Sequence, residues 1–275
     1  MAQNISNKQV KFAVQNAFAF DEKKKNKLFK KILFYLIFTS KLVKRFFIYS
    51  IIKVISKTKN AEVNIKTKEW SYQNKESFKE NGYLYLENFI EKKTLEKLIN
   101  NWPNINFFTP RLKPLKFYDT GFVLAHQKKK YFFSNPKDLQ YYKYHYPLYN
   151  YFKSEKMCNL IKKLYGSETN FYLKGMVYSN ASKNSFLIPH TDGLAKDNKK
   201  VCNLIFFVDG DNEDTLKSGG TSLYFDNEFE KLIFKPNNIC NSLLLYNSYF
   251  NFFHGFKKIE TSKDRKAITF EYSEI

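Results

Sequence analysis

Val201-Cys202-Asn203-Leu204-Ile205-Phe206-Phe207-Val208 runs straight into Asp209-Gly210-Asp211-Asn212. A short run rich in β-branched and aromatic side chains, closed by turn residues, reads as a β-strand. The pattern recurs on both sides. Residues 170–178 upstream, and 221–225, 242–246 and 267–272 downstream, are runs of the same kind, with Ser218-Gly219-Gly220 as another turn cluster. The regular helix alternation of a doubly wound sheet is missing. Short strands broken by turns predict a mostly β chain with flanking helices, folded as a double-stranded β-helix (jelly-roll) barrel.

Working outward, residues 101–165 are rich in Tyr and Phe, with five prolines scattered through them. They predict loops and a helix near 150–165, with His126 and His145 as hydrogen-bonded structural histidines or pocket residues. Phe78 to Ile90 reads as a short strand with a glycine turn before it, and 91–100 carries Leu95, Leu98 and Ile99 at helical spacing. The barrel domain therefore spans 75–275, and 1–74 is a basic extension ending in a polar linker. Within the extension, 27–57 predicts an amphipathic helix with Lys27, Lys30, Lys31, Lys41, Lys44 and Arg45 on one side. It has no uninterrupted run of the ~18–20 apolar residues needed to span a bilayer. Its alternatives are an anionic membrane surface, packing on the barrel, or a partner protein.

The net charge of +20 is uneven: residues 1–70 hold 16 basic and 4 acidic side chains. The excess marks what the extension touches more than what the barrel binds. Arginine is scarce, with Arg45, Arg111 and Arg265 against 43 lysines, which argues against nucleic-acid base readout. Three scattered cysteines and no secretory leader predict a reducing, cytoplasmic setting, with the protein peripheral to a membrane if the helix binds one.

Four residues carry chemistry. Pro189-His190-Thr191-Asp192-Gly193 places an imidazole and a carboxylate two apart in an extended segment, so both point to one side. Phe253-His254-Gly255 follows 64 residues later, after an apolar strand, and Arg265 comes 11 residues beyond His254. Two imidazoles and a carboxylate can hold one face of an octahedral Fe(II), leaving positions open for a chelating co-substrate and O2. A guanidinium at the start of a barrel strand needs an anion.

This order of residues resembles the Fe(II)/2-oxoglutarate-dependent oxygenase superfamily, closest in pattern to its prolyl-4-hydroxylase-like and phytanoyl-hydroxylase-like groups. Gly219-Gly220-Thr221-Ser222-Leu223 is similar to the turn and strand those proteins place between HxD and the distal His. The resemblance implies Fe(II) on His190, Asp192 and His254, with 2-oxoglutarate and O2 as co-substrates and the far carboxylate of 2-oxoglutarate on Arg265. Many members have Ser or Thr two residues after this Arg. Here that position is Ala267, which leaves Thr269 or Tyr178 to supply the extra hydroxyl. Asn241 stands where glycine is more usual. The nucleic-acid demethylases carry a second Arg six residues after the first, where this chain has Glu271, and the carboxylate of HxD argues against the halogenase branch. The implied reaction hydroxylates a C–H bond of a small molecule, glycan, lipid or protein side chain, releasing succinate and CO2. The alternative is a non-catalytic jelly-roll binding module, tethered to a membrane or partner by its basic helix.

Overall fold

A computed structural model describes residues 72–103, 109–118, 121–133, 144–191, 201–247 and 252–275, with 72–74, 109–118 and 121–133 as backbone alone. The expected 27–57 helix and Asp192 lie outside the described residues. The elements are α1 (Tyr72–Asn81), β1 (Tyr83–Glu87), α2 (Lys92–Asn100), β2 (Thr109–Tyr118), β3 (Gly121–Phe133), α3 (His145–Lys153) and α4 (Glu155–Tyr165). They continue as β4 (Phe171–Ala181), β5 (Phe186–His190), β6 (Val201–Asp209), β7 (Ser222–Tyr224), β8 (Leu232–Phe234), β9 (Ser242–Asn247), β10 (Phe253–Phe256) and β11 (Arg265–Glu274). No described helix is long and apolar enough to cross a membrane.

The topology is a wound hairpin. Strand β4 pairs β11, β5 pairs β10, β6 pairs β9 and β7 pairs β8, all antiparallel. The first four strands of the barrel thus meet the last four in reverse order, which is the jelly roll the sequence predicts. One sheet runs β1-β9-β6-β11-β4 and the other β5-β10-β7-β8. Strand β3 joins them: its Lys128–Phe133 stretch pairs with β4, while Ala125 and His126 pair with β5. Residues 109–133 were expected as loops. Their prolines and lysines mask strands β2 and β3, which form the hairpin behind this seam.

Period-two alternation builds two cores on the larger sheet. Leu204, Phe206, Leu243, Leu245, Ile268, Phe270 and Tyr272 face the helices. Ile205, Phe207, Leu244, Tyr246 and Ala267 face the smaller sheet. Both faces being covered explains why β6 reads as a continuous apolar run. The helices dock through specific anchors. Phe152 of α3 stacks on Phe270 at 3.8 Å between ring centroids, and its carbonyl accepts from the Tyr272 hydroxyl at 2.6 Å. Ser154 caps α4, accepting from the Met157 N–H, and Gly166 ends it at φ 58°. Residues 78–81, expected to lead into the strand, instead end helix α1, which is mostly polar and buries the Phe78 ring.

Asn241 answers the missing glycine. It takes φ 58°, a conformation asparagine tolerates. Its amide then clamps the backbone of Ile90, donating to the carbonyl at 2.7 Å and accepting from the N–H at 2.9 Å. The entry to α2 is thereby tied to the start of β9. Asn241→Ala loses two buried hydrogen bonds and keeps the strained φ, so a loss of about 2–4 kcal/mol is expected in denaturant unfolding. A change within the scatter of surface substitutions would show that the clamp is dispensable.

Candidate active site

His190 ends β5 and His254 sits in β10, and the two are register partners. Their rings lie 4.2 Å apart between centroids. His190 Nδ1 is 2.9 Å from the Ile188 carbonyl. A carbonyl only accepts, so Nδ1 carries the proton and Nε2 keeps its lone pair, the state a metal requires. His254 is buried and packs on the Tyr246 ring at 4.9 Å. The pair therefore lines the barrel interior, with the half-buried His190 nearer solvent. Among the described residues no three metal-ligating side chains cluster; Asp192, the expected third ligand, is outside them.

Gly255 makes the pairing possible. A Cβ there would lie 2.5 Å from the Leu187 carbonyl oxygen and 2.8 Å from Pro189 N. Strand β5 carries a register irregularity opposite this point, where Pro189 has no N–H to give the ladder. The close approach that this glycine permits is to strand β5 itself. Gly255→Ala must push β10 off β5, since backbone rather than a flexible side chain is in the way. The expected cost is about 1–3 kcal/mol in denaturant unfolding, because the paired strands must separate. Unchanged stability would contradict the close approach.

Arg265 opens β11 and is 3% exposed. Its guanidinium lies 4.9 Å from the Phe256 ring and 5.3 Å from that of Phe207. Nη1 donates to Ser179 Oγ and Nη2 to Thr221 Oγ1, each at 3.0 Å. Nε has no partner among the described residues, and no described carboxylate pairs with this cation. Burial pushes its pKa down to about 9. Of five N–H groups, three remain for an anion. Phe256 lies two residues beyond His254 on β10, so the strand carries both side chains toward the same interior.

The hydroxyl partners differ from those expected. Tyr178 is register partner to Ile268, on the helix-facing side of the sheet, and is one residue out of phase with the strand positions that share Arg265's face. Its hydroxyl is 2.8 Å from His145 Nδ1. The expectation that Tyr178 lines the anion pocket is corrected by strand parity. Ser179, its neighbour, takes that place. Thr269 does share Arg265's face, but four residues along a strand is ~13 Å, and no hydrogen bond joins them. Thr221, the hydroxyl immediately after the two glycines of the turn, is the second partner, and only that position in the sequence signals it. Gly219, at φ 86°, leaves room for the arginine, since a Cβ would sit 3.0 Å from Arg265 Cδ. His145 is wholly buried between Tyr178 and the Asn101 carbonyl, a structural histidine; the side chain of His126 is outside the description.

No family model and no curated protein matches the sequence. Solved structures match the fold. A prolyl-4-hydroxylase from Pseudomonas putida aligns at TM-score 0.52 and 9% identity, over 74% of this chain and 97% of that one. A prolyl hydroxylase from Trichoplax adhaerens, in complex with a hypoxia inducible factor oxygen degradation domain peptide fragment, gives 0.51 and 17%, over 74% and 87%. HygX from Streptomyces hygroscopicus, with nickel, 2-oxoglutarate and hygromycin B bound, gives 0.51 and 11%, over 74% and 87%. At such identities the likeness is one of architecture. The chain has the jelly-roll fold of the Fe(II)/2-oxoglutarate oxygenases, the superfamily its motifs resemble.

Proposed function

We propose that this protein is an Fe(II)- and 2-oxoglutarate-dependent dioxygenase that hydroxylates a C–H bond. The observation that carries the reading is a polarised interior: two imidazoles held as register partners and, packed on Phe256 two residues beyond His254, a buried arginine without a described counter-ion. The donor set fits the group. His190 presents Nε2, His254 is held by its neighbours on β5 and β7, and Asp192 would add the carboxylate. Arg265, fixed by Ser179 and Thr221, would take the far carboxylate of 2-oxoglutarate through its remaining N–H groups. When bound, iron and 2-oxoglutarate supply the oxidising chemistry, with succinate and CO2 as co-products. The chain orients both through fixed side chains, and Phe207, Phe256 and Ile259 keep water from the buried end. Nickel and 2-oxoglutarate bound in one structural neighbour support the same pairing here.

The test is anaerobic titration with Fe(II), then 2-oxoglutarate, watching for the visible charge-transfer band of a chelated 2-oxo acid. The band is expected in the native protein, and is expected to vanish in His254→Ala. A folded, metal-loaded protein that gives no band is a binding module instead.

A further inference from the structure

The path of paired strands starts at β1 and ends at β8, so these two lie at edges of the barrel. Among the described residues, side chains rather than a ladder bring the two edges together. Tyr83 and Tyr85 of β1 pack on Phe234 of β8, at 4.7 and 5.2 Å between ring centroids. The Tyr85 hydroxyl donates to the Asn238 carbonyl at 2.7 Å and accepts from the Asn238 N–H at 2.9 Å. Tyr83, Tyr85, Ile233 and Phe234 are only partly buried, and Leu232 beside them is 44% exposed. Across the β7–β8 turn, Phe225 donates its N–H to the Lys231 carbonyl at 2.9 Å and leaves its side chain 67% exposed. The seam between the two sheets thus carries a run of apolar surface. Edges of this kind are commonly covered by a helix or loop.

The turn between Phe225 and Leu232 is acidic. Asp226, Glu228 and Glu230 stand there against Lys231, in a chain whose net charge is +20. Asp226 accepts from the N–H groups of Glu228, Glu230 and Lys231, which fixes the turn and its carboxylate in place. Residues 27–57, outside the described residues, are the complement in sequence. They hold eight Lys/Arg and no acidic residue, with apolar side chains such as Leu33, Leu36 and Ile37 at helical spacing. Chain length also brings them to the place. Strand β1 begins at Tyr83, on the seam itself. Helix α1 before it is ~15 Å long, and residues 58–71 can span up to ~45 Å. Such a tether gives an effective concentration on the order of millimolar, so a contact too weak to persist between separate molecules persists within one.

We propose that residues 27–57 dock on this chain's own β1/β8 seam, with their apolar side chains over Phe225, Leu232 and Phe234 and their lysines toward the acidic turn. The Phe225 ring meets that of Phe252 at 6.5 Å, and Phe252 is two residues from His254. Docking therefore sets the basic segment close to the candidate active site.

The test is carbodiimide cross-linking of the full chain, which joins a lysine amine to a carboxylate in contact with it, read by mass spectrometry. Lys263 and Asp209, 2.8 Å apart, supply an internal control. Links from the lysines of 27–57 to the 226–230 carboxylates are expected, at a yield independent of protein concentration. Phe225→Ser with Leu232→Ser leaves every carboxylate in place and changes only exposed positions. It is expected to lower that yield about tenfold with the control link unchanged. A second readout needs no cross-link: Lys41→Glu, Lys44→Glu and Arg45→Glu together should speed amide exchange over 225–234 by about threefold or more. The proposal is overturned if the control link forms and the others do not, if the double variant keeps their yield, or if they form only between molecules. Capture of the chain on phosphatidylserine vesicles, with no such link in their absence, overturns it too and assigns 27–57 to a membrane surface. Neither readout needs metal or co-substrate, so failure here leaves the oxygenase reading untouched.

Discussion

Arg265→Met is expected to make the ligand-free protein more stable while removing its affinity for 2-oxoglutarate. The arginine is a buried cation between two aromatic rings, held by two neutral hydroxyls. Burial lowers its pKa to about 9. A base with a depressed folded pKa is penalised for staying charged. The penalty is absent above its unfolded value, grows as pH falls from there to the folded one, and is complete at neutral pH. Replacing a buried, uncompensated charge with an apolar side chain of similar volume typically stabilises by about 1–4 kcal/mol. The same change deletes the charge-assisted contacts to the co-substrate, for an expected loss of about a hundredfold in affinity. Thermal unfolding with and without 2-oxoglutarate reads both effects, since a bound ligand raises the midpoint by mass action. Lower stability together with intact ligand protection would mean that Arg265 is a structural residue and that the anion binds elsewhere.

The second large effect is in acid, on the other side of the sheet. His145 Nε2 lies 3.1 Å from the Asn101 carbonyl, so Nε2 bears the proton and Nδ1 accepts from the Tyr178 hydroxyl. Trp102 covers both rings. Burial holds this histidine down to about 4, against 6.5 when unfolded. Above 6.5 both states are neutral and the stability is present in full. Between 6.5 and 4 the unfolded chain takes up the proton first, so stability falls with pH, by about 3 kcal/mol in all. Urea unfolding of metal-free protein at pH 7 and pH 4.5, compared with His145→Gln, isolates the term, because the other histidines are common to both proteins. An acid loss of the same size in the variant would exonerate His145.

Much of this architecture is legible in the chain because its strands are short and apolar. Strands β4, β6, β9 and β11 announce themselves, and His190, His254 and Arg265 lie on β5, β10 and β11. Strand β10 is harder, with four residues and a central glycine. Strand β3 hides behind Gln127 and three consecutive lysines. Helix α1 is held to the fold by Phe78 and by contact with α4 rather than by an amphipathic pattern. The misplacement of Tyr178 has a different cause. Deciding between Tyr178 and Ser179 requires knowing which residue of β4 faces Arg265, and that follows from register, which no local pattern encodes. Thr221 needed the same knowledge across the other sheet.

The alternation that separates the two faces of the larger sheet also separates what evolution can change. Positions 203, 205, 244, 246, 269 and 271 face the barrel interior, while their immediate neighbours 204, 206, 243, 245, 268 and 270 hold the helices. Substitution at odd positions of β6 and β11 and even positions of β9 therefore reshapes the interior without touching the residues that hold the helices. Insertions are the opposite case: one extra residue in β11 would exchange the two sets at once. Lineages of this barrel should drift readily by substitution inside their strands and confine changes of length to the loops between them.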